Sequence, residues 1–349
     1  MSRAQRALLG LVALVTALAG VARYVNGFSQ VAAFVLATLA LAGGAWIVSF
    51  ATEQIGERFG PAVTGVLQST VGNLPEFFVV IFALNAGQLV VAQTALVGSI
   101  LVNALLVLGL VVVAGATHSR EKVMRFSPRL PNDTATLVLV ATFIIVLIGL
   151  ANAAHDPASH HVKTISIVGA IAILLVYGLW LRQYLRSEGV VRPHVEPRLG
   201  AVTGVVLLAA AGTASAFVSD WFVHSLQPTI NMLHISKAFA GLVIVAIAGN
   251  AVENTAGIAL AARGRPELAI SVVKNSVAQI AAFLYPALVL VSLLTATTLT
   301  FALAPVYIGA LFGTAVIMWQ VTGDGEARVF EGAALVAAFL ILATVAAFE

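Results

Sequence analysis

The chain has no cysteine, and only 9% of its 349 residues carry a charge. The first absence excludes disulfides and any thiolate metal site. The second excludes an ordinary soluble domain, in which about 25% of residues are charged. Strict alternation of apolar and polar residues is also missing. The apolar runs instead last about 20 residues or more, which excludes a transmembrane β-barrel. No nucleophile–base set or zinc-type spacing stands at any membrane interface, so a membrane-embedded enzyme finds no support. What is present is a 60% hydrophobic content arranged in long blocks, the mark of an all-α polytopic membrane protein.

The blocks place spans at 6–24, 30–56, 61–84, 88–115, 134–152, 164–185, 199–223, 238–262, 267–295, 301–320 and 328–347, eleven transmembrane helices in all. The first block, with Arg3 and Arg6 before it and Ala17-Leu18-Ala19 within it, also fits a cleaved signal peptide. An uncleaved span is the reading taken, and the topology after it is the same either way. With alternating sides, one side receives Arg3, Arg6, Arg58, Arg120, Lys122, Arg125, Arg129, Arg182, Arg186, Arg192, Arg198, Arg263, Arg265 and Arg328. The other receives Arg23, Lys163 and Lys237, and Lys274 is inside a span. That bias makes the first side cytoplasmic, with the N-terminus inside and the C-terminus outside a cytoplasmic membrane. The basic residues thus report orientation in a lipid bilayer, and nucleic acid is not an expected partner.

A repeat is visible in the same spans. Residues 1–29 hold an extra first helix, 30–186 a first five-helix unit, 187–198 a cytoplasmic linker with Pro193 and Pro197, and 199–349 a second five-helix unit. Five is odd, so the units are expected to be inverted repeats, the arrangement of secondary transporters with sites at the bilayer midplane.

One stretch carries the chemistry. Val71-Gly72-Asn73-Leu74-Pro75-Glu76 lies inside an apolar run, where a carboxylate costs about 2.5–3.5 kcal/mol on insertion scales. Gly and Pro beside it can interrupt the helix ladder and free backbone carbonyls. The pattern returns as Gly249-Asn250-Ala251-Val252-Glu253, 177 residues on, and the same offset maps Gly87 onto Gly264 and Ser99 onto Ser276. Asn73 and Glu76 share a helix face, as do Asn250 and Glu253. Two carboxylates, two amide oxygens and freed carbonyls suit a hard divalent cation such as Ca²⁺, which takes 6–8 oxygens in irregular geometry. A pair of protonated glutamic acids bonded across helices is the plain alternative, but it has no need of the Gly and Asn.

Other polar residues in the spans add to this set. Ser99 with Asn103, and Ser276 with Gln279, lie on single faces of otherwise apolar helices. They are candidate neutral ligands or orienting groups, or else ordinary interhelical hydrogen bonds. Glu53, near the cytoplasmic end of its span, and Asp220, near the external end of its own, read as entrance acids or proton relays, or as wetted interfacial side chains. His155, His160 and His161 share an external loop with Asp156, and a solvated loop explains them better than a metal site. The run from His118 to Arg129 fits anionic headgroup contact.

At these residues the chain resembles the calcium/cation antiporter superfamily, and within it the cation/proton exchangers. The resemblance rests on FATEQIGERFGPAVTGVLQSTVGNLPEFFVVIFALNAGQ, ALVGSILVNALLVLG, FAGLVIVAIAGNAVENTAGIALAARG and NSVAQIAAFLYP, and covers about residues 30–348. The GNLPE and GNAVE motifs favour proton exchangers over sodium/calcium exchangers, whose repeats usually read Gly-Thr/Ser-Ser-x-Pro-Glu. The resemblance implies that Glu76 and Glu253 bind Ca²⁺ or protons in turn, with Asn73, Asn250, Ser99, Ser276, Asn103 and Gln279 lining the site. Three departures stand out. Asn254 replaces the His that often follows the second glutamate, so no proton role carries over to that position. The linker has only Glu188 and Glu196 in place of an acidic stretch. Lys274 stands where the family pattern is apolar. At 100° per residue it lies about 170° from the middle of the Ser276–Gln279 face, and about 10 Å from the cytoplasmic end of its span. It is therefore expected to snorkel and not to touch the ion.

The expectation is a Ca²⁺/H⁺ antiporter that exports Ca²⁺ on the proton gradient by alternating access, with Ca²⁺ and H⁺ as substrates and no cofactor. The alternatives are a Na⁺-coupled or monovalent-cation antiporter on the same fold and, against the closed duplicated site, a cation channel.

Overall fold

In the computed structural model the described residues are 3–25, 27–59, 71–187 and 200–349. They are mostly helical. The helices are α1 (Arg3–Tyr24), α2 (Gln30–Phe59), α3 (Leu74–Asn85), α4 (Leu89–His118), α5 (Arg129–Ala153), α6 (Val162–Ser187), α7 (Ala201–Leu233), α8 (Lys237–Gly249), α9 (Ala251–Ala262), α10 (Pro266–Leu294), α11 (Pro305–Thr322) and α12 (Val329–Ala347). Among the described residues nine helices are long and apolar enough to cross a membrane, and α8 with α9 forms one further, bent pair. The apolar α3 is shorter. Residues 60–70, where the sequence reading starts the third span, lie outside the described residues.

The helix ends follow from local chemistry. Proline opens α10 and α11 in the first turn, where its missing N–H costs nothing. The Ser236 hydroxyl caps the start of α8 by accepting from Phe239 N at 2.8 Å. Gly87 (φ +71°) and Gly264 (φ +70°) turn the chain after α3 and α9 in a region open to glycine.

The backbone repeats itself at the offset read from the motifs. Asn73 (φ −96°, ψ 17°) and Asn250 (φ −100°, ψ 11°) both leave helical geometry immediately before a 12-residue helix. Further on, α4 widens into a π segment at Val102–Val107 and α10 at Ile280–Leu284. A third π segment, Ala240–Val245, lies in α8. Such bulges mark places where a helix ladder is re-registered, often at functional sites. In α10 the cause is near at hand, since Pro286 follows and cannot donate to the ladder.

The core is built around α4 and α10, with 83% and 67% of their apolar windows buried, whereas α1 sits at the periphery with 11%. The close crossing of α4 and α8 needs two glycines. A Cβ at Gly98 would lie 2.4 Å from the carbonyl oxygen of Leu242, and one at Gly241 2.0 Å from the Thr94 hydroxyl.

Contacts among loops and helix ends fall into two groups. In one, Val123–Arg125 (β1) pairs antiparallel with Glu326–Arg328 (β2). There Arg125 bridges Glu121 (3.1 Å) and Glu326 (3.3 Å), and Ser127 N donates to Glu267 Oε1 at 2.8 Å. In the other, Ala296 N donates to Asn85 Oδ1, Phe301 N to Ser166 Oγ, Thr229 Oγ1 to the Gln30 carbonyl, Ser236 Oγ to the Ala346 carbonyl and Tyr307 to Glu349.

The described residues are mostly helical, as expected, and β1 and β2 add a three-residue ladder between distant loops. One sequence expectation needs correction here. The span expected at 199–223 is a helix that continues to Leu233 through Pro228. The hydroxyls of Ser225 and Thr229 bond back to the carbonyls of Phe222 and Ser225, which helps the ladder pass the proline. Asp220 is therefore 13 residues, about 20 Å, from the end of its helix and not near it.

Candidate functional site

The break before α3 sets the first carboxylate. With Asn73 out of helical geometry and Pro75 in the first turn, Glu76 occupies that turn, where the positive end of the helix dipole favours an anion. The side chain is buried. Its Oε1 accepts from the Ser99 hydroxyl at 2.5 Å and from Asn250 Nδ2 at 2.5 Å. Asn250 Nδ2 also reaches Ser99 Oγ (3.0 Å) and the Ala246 carbonyl (2.9 Å).

Asn103 closes the circuit. Its Nδ2 donates to Asn250 Oδ1 and to the carbonyl of Ser99, each at 2.9 Å, at the opening of the π segment. Glu76, Ser99, Asn250 and Asn103 thus form one buried network drawn from both halves of the sequence. Two further polar atoms, Asn103 Oδ1 in the network and Asn73 Nδ2 at the helix break before Glu76, are buried with no hydrogen-bond partner among the described residues. Each is a capacity for one more interaction, which a buried polar group needs.

The glycine of the second motif has a steric reason. A Cβ at Gly249 would lie 2.9 Å from Glu76 Cγ and 3.1 Å from its Oε1. The backbone there must be bare for the carboxylate to sit against it.

The other expected residues are placed as follows. Ser276 and Gln279 are buried on α10, immediately before its π segment. Glu253 stands in the first turn of α9, the position that Glu76 holds in α3; its side chain is outside the described residues, as is that of Glu53 in α2. Asp220 is half-buried on α7, beside Ser219, whose hydroxyl donates to the Pro75 carbonyl of the motif at 3.3 Å. Sequence reasoning missed Ser219; its signal was the pair Ser215 and Ser219, four apart on one face of an apolar helix. Lys274 is fully buried, and its Nζ donates to Thr322 Oγ1 at 3.1 Å. It reaches the last turn of α11 without reaching water, so the expected snorkelling to solvent is corrected.

Among the described residues no group of three or more His, Asp or Glu side chains gathers for a metal. Asp156 caps a short turn by accepting from Ala158 N (2.8 Å), and His155, His160 and His161 are exposed. Among the described residues the network supplies carboxylate, hydroxyl and amide groups.

The profile of the family described as sodium/calcium exchanger protein matches residues 29–182 and again 203–348. The chain belongs to the sodium/calcium exchanger family. Among its relatives is a vacuolar calcium ion transporter of Schizosaccharomyces pombe, 33% identical over 88% of this chain and 77% of the relative. The Ca²⁺/H⁺ antiporter ChaA of Bacillus subtilis is 29% identical, covering 84% and 85%. The solved structure of native YfkE superposes with a TM-score of 0.83 at 26% identity, covering 98% of this chain and all of that one. Both stretches that match the family's profile contain a Gly-Asn-x-x-Glu motif, and Glu76 of the first motif and Asn250 of the second are joined in the network.

Proposed function

We propose that this exchanger is a secondary active transporter that exports Ca²⁺ across the cytoplasmic membrane in exchange for H⁺. The observation that carries the reading is the hydrogen-bonded joining of Glu76, in the first matched stretch, to Asn250, in the second. A carboxyl group there can hold a proton or help hold a divalent cation, but not both at once. Glu76 and Glu253, with Asn73, Asn250, Ser99, Ser276, Asn103 and Gln279, form the single site in this reading. Protonation removes the charge that retains the metal, and alternating access exchanges one substrate for the other. Relatives named as Ca²⁺/H⁺ antiporters support these two substrates.

The accompanying topology has eleven spans, a cytoplasmic N-terminus, an external C-terminus and two inverted five-helix repeats joined by the 187–198 linker. The matched backbone breaks at Asn73 and Asn250 and the two groups of contacts among loops and helix ends support it.

The test uses proteoliposomes with a pH-sensitive dye inside. Ca²⁺ added outside should drive proton movement without Na⁺. Ca²⁺ movement that needs Na⁺ would favour the Na⁺-coupled alternative, and Ca²⁺ movement with no proton counterflow would favour a channel.

A further inference from the structure

A groove of about 740 Å³ runs between α1, α2 and α7, and none of the network residues Glu76, Ser99, Asn103 and Asn250 lines it. It follows α1 from Val12 to Val25, about 20 Å at 1.5 Å per residue. One leaflet of hydrocarbon is about 15 Å deep, half of the usual core. The walls are small and apolar, among them Ala13, Ala17, Gly20 and Ala210. At Gly20 the space is set by Trp221, whose ring would lie 3.0 Å from an added Cβ.

One end of the groove is not apolar. Trp221 Nε1 donates to the Tyr24 hydroxyl at 3.3 Å, and both rings line the groove. The Arg23 guanidinium carbon stands 5.3 Å from the centre of the Tyr24 ring. Arg23 closes the apolar run that begins after Arg6, the position where basic and aromatic residues anchor a helix at the headgroups. The ion pairs among the described residues are both made by Arg125. Arg23 Nε is buried without a hydrogen-bond partner among the described residues. A slot one acyl chain long therefore ends at Tyr24, beside a cation that no side chain among the described residues neutralises.

We propose that this groove binds one anionic phospholipid, with an acyl chain between α1 and α7 and the headgroup phosphate on Arg23. The site is separate from the transport site and does not rest on the identity of the transported ion.

The experiment is native mass spectrometry of the purified full chain, titrated with phosphatidylglycerol or with phosphatidylcholine of the same acyl chains. Wild type should prefer phosphatidylglycerol by about fivefold, or about 1 kcal/mol for one basic residue at an anionic lipid. Arg23→Gln should lose that preference and Arg23→Lys keep it. Ala17→Trp and Ala210→Leu, both at exposed positions that line the groove, should weaken binding of both lipids. An Arg23→Gln variant that still prefers phosphatidylglycerol would overturn the proposal. So would groove-filled variants that bind as wild type does, or a wild-type dimer that takes up no lipid, which would give the groove to a second copy of α1.

Discussion

Asn250 gives a hydrogen bond of 2.5 Å to the Glu76 carboxylate across 174 residues of sequence. The contact depends on bare backbone at Gly249, on a helix break at each asparagine, and on α4 bringing Ser99 between them. Each of these can be removed separately.

Glu76→Gln and Glu253→Gln should each abolish Ca²⁺/H⁺ exchange, by about a hundredfold or more, the equivalent of about 2.7 kcal/mol. The amide keeps the shape but neither carries the proton nor supplies the charge. Asn103→Ala should weaken transport only about tenfold, through loss of hydrogen bonds that hold Asn250. Initial rates in proteoliposomes decide the point. A Gln variant that exchanges near the wild-type rate would rule out a shared carboxylate site.

Gly249→Ala should damage transport more than stability. Its Cβ would meet a side chain, Glu76, at 2.9 Å, and that carboxylate can shift aside. Gly98→Ala should do the reverse, since its Cβ would meet the backbone of Leu242 at 2.4 Å and force α4 and α8 apart. Overpacking of this kind costs about 1–3 kcal/mol. Thermal melting in detergent together with Ca²⁺ uptake separates the two effects; equal melting losses for the two variants would contradict the assignment.

Much of this architecture was legible in the sequence. Long apolar runs locate the helices, because a bilayer demands about 20 such residues. The repeated Gly-Asn-x-x-Glu located both helix breaks, since Gly, Pro and a buried acid point to broken ladder and function together. Features made by long-range packing were not legible. The apolar run at 199–223 gave out before Pro228, yet Ser225 and Thr229 bond back along the ladder and α7 continues to Leu233. The β1–β2 pairing joins loops about two hundred residues apart, and no local pattern announces it. Spacing placed Lys274 off the face of Ser276, but it says nothing of Thr322 on another helix.

Sidedness can be tested on the cysteine-free background. Single cysteines at Thr117 and Ala158 should label from opposite sides of the membrane, Thr117 from inside and Ala158 from outside. Thr117 lies at the end of α4 next to the loop that carries β1, and Ala158 lies in the turn before α6. Labelling of both from the outside, with a membrane-impermeant maleimide, would remove the eleven-span topology.

Lys274 supplies the last prediction, and its surroundings set the sign of each variant. The ammonium is fully buried, with Thr322 Oγ1 as its partner at 3.1 Å, while that hydroxyl itself donates to the Met318 carbonyl at 2.7 Å. Thr322→Val therefore takes away the acceptor and leaves a buried amine, at a cost of about 1–3 kcal/mol. Lys274→Met takes away the amine, and the Thr322 hydroxyl keeps its carbonyl, so nothing polar is stranded. The melting temperature should fall for Thr322→Val and stay level or rise for Lys274→Met. Neither change reaches the network of Glu76, Ser99, Asn250 and Asn103, none of which bonds to Lys274. Ca²⁺ uptake in competition with Na⁺ and K⁺ should then be the same for wild type, Lys274→Met and Lys274→Leu. A tenfold change in preference, about 1.4 kcal/mol, would mean that the ammonium acts on the transported ion and that the site extends to this face of α10.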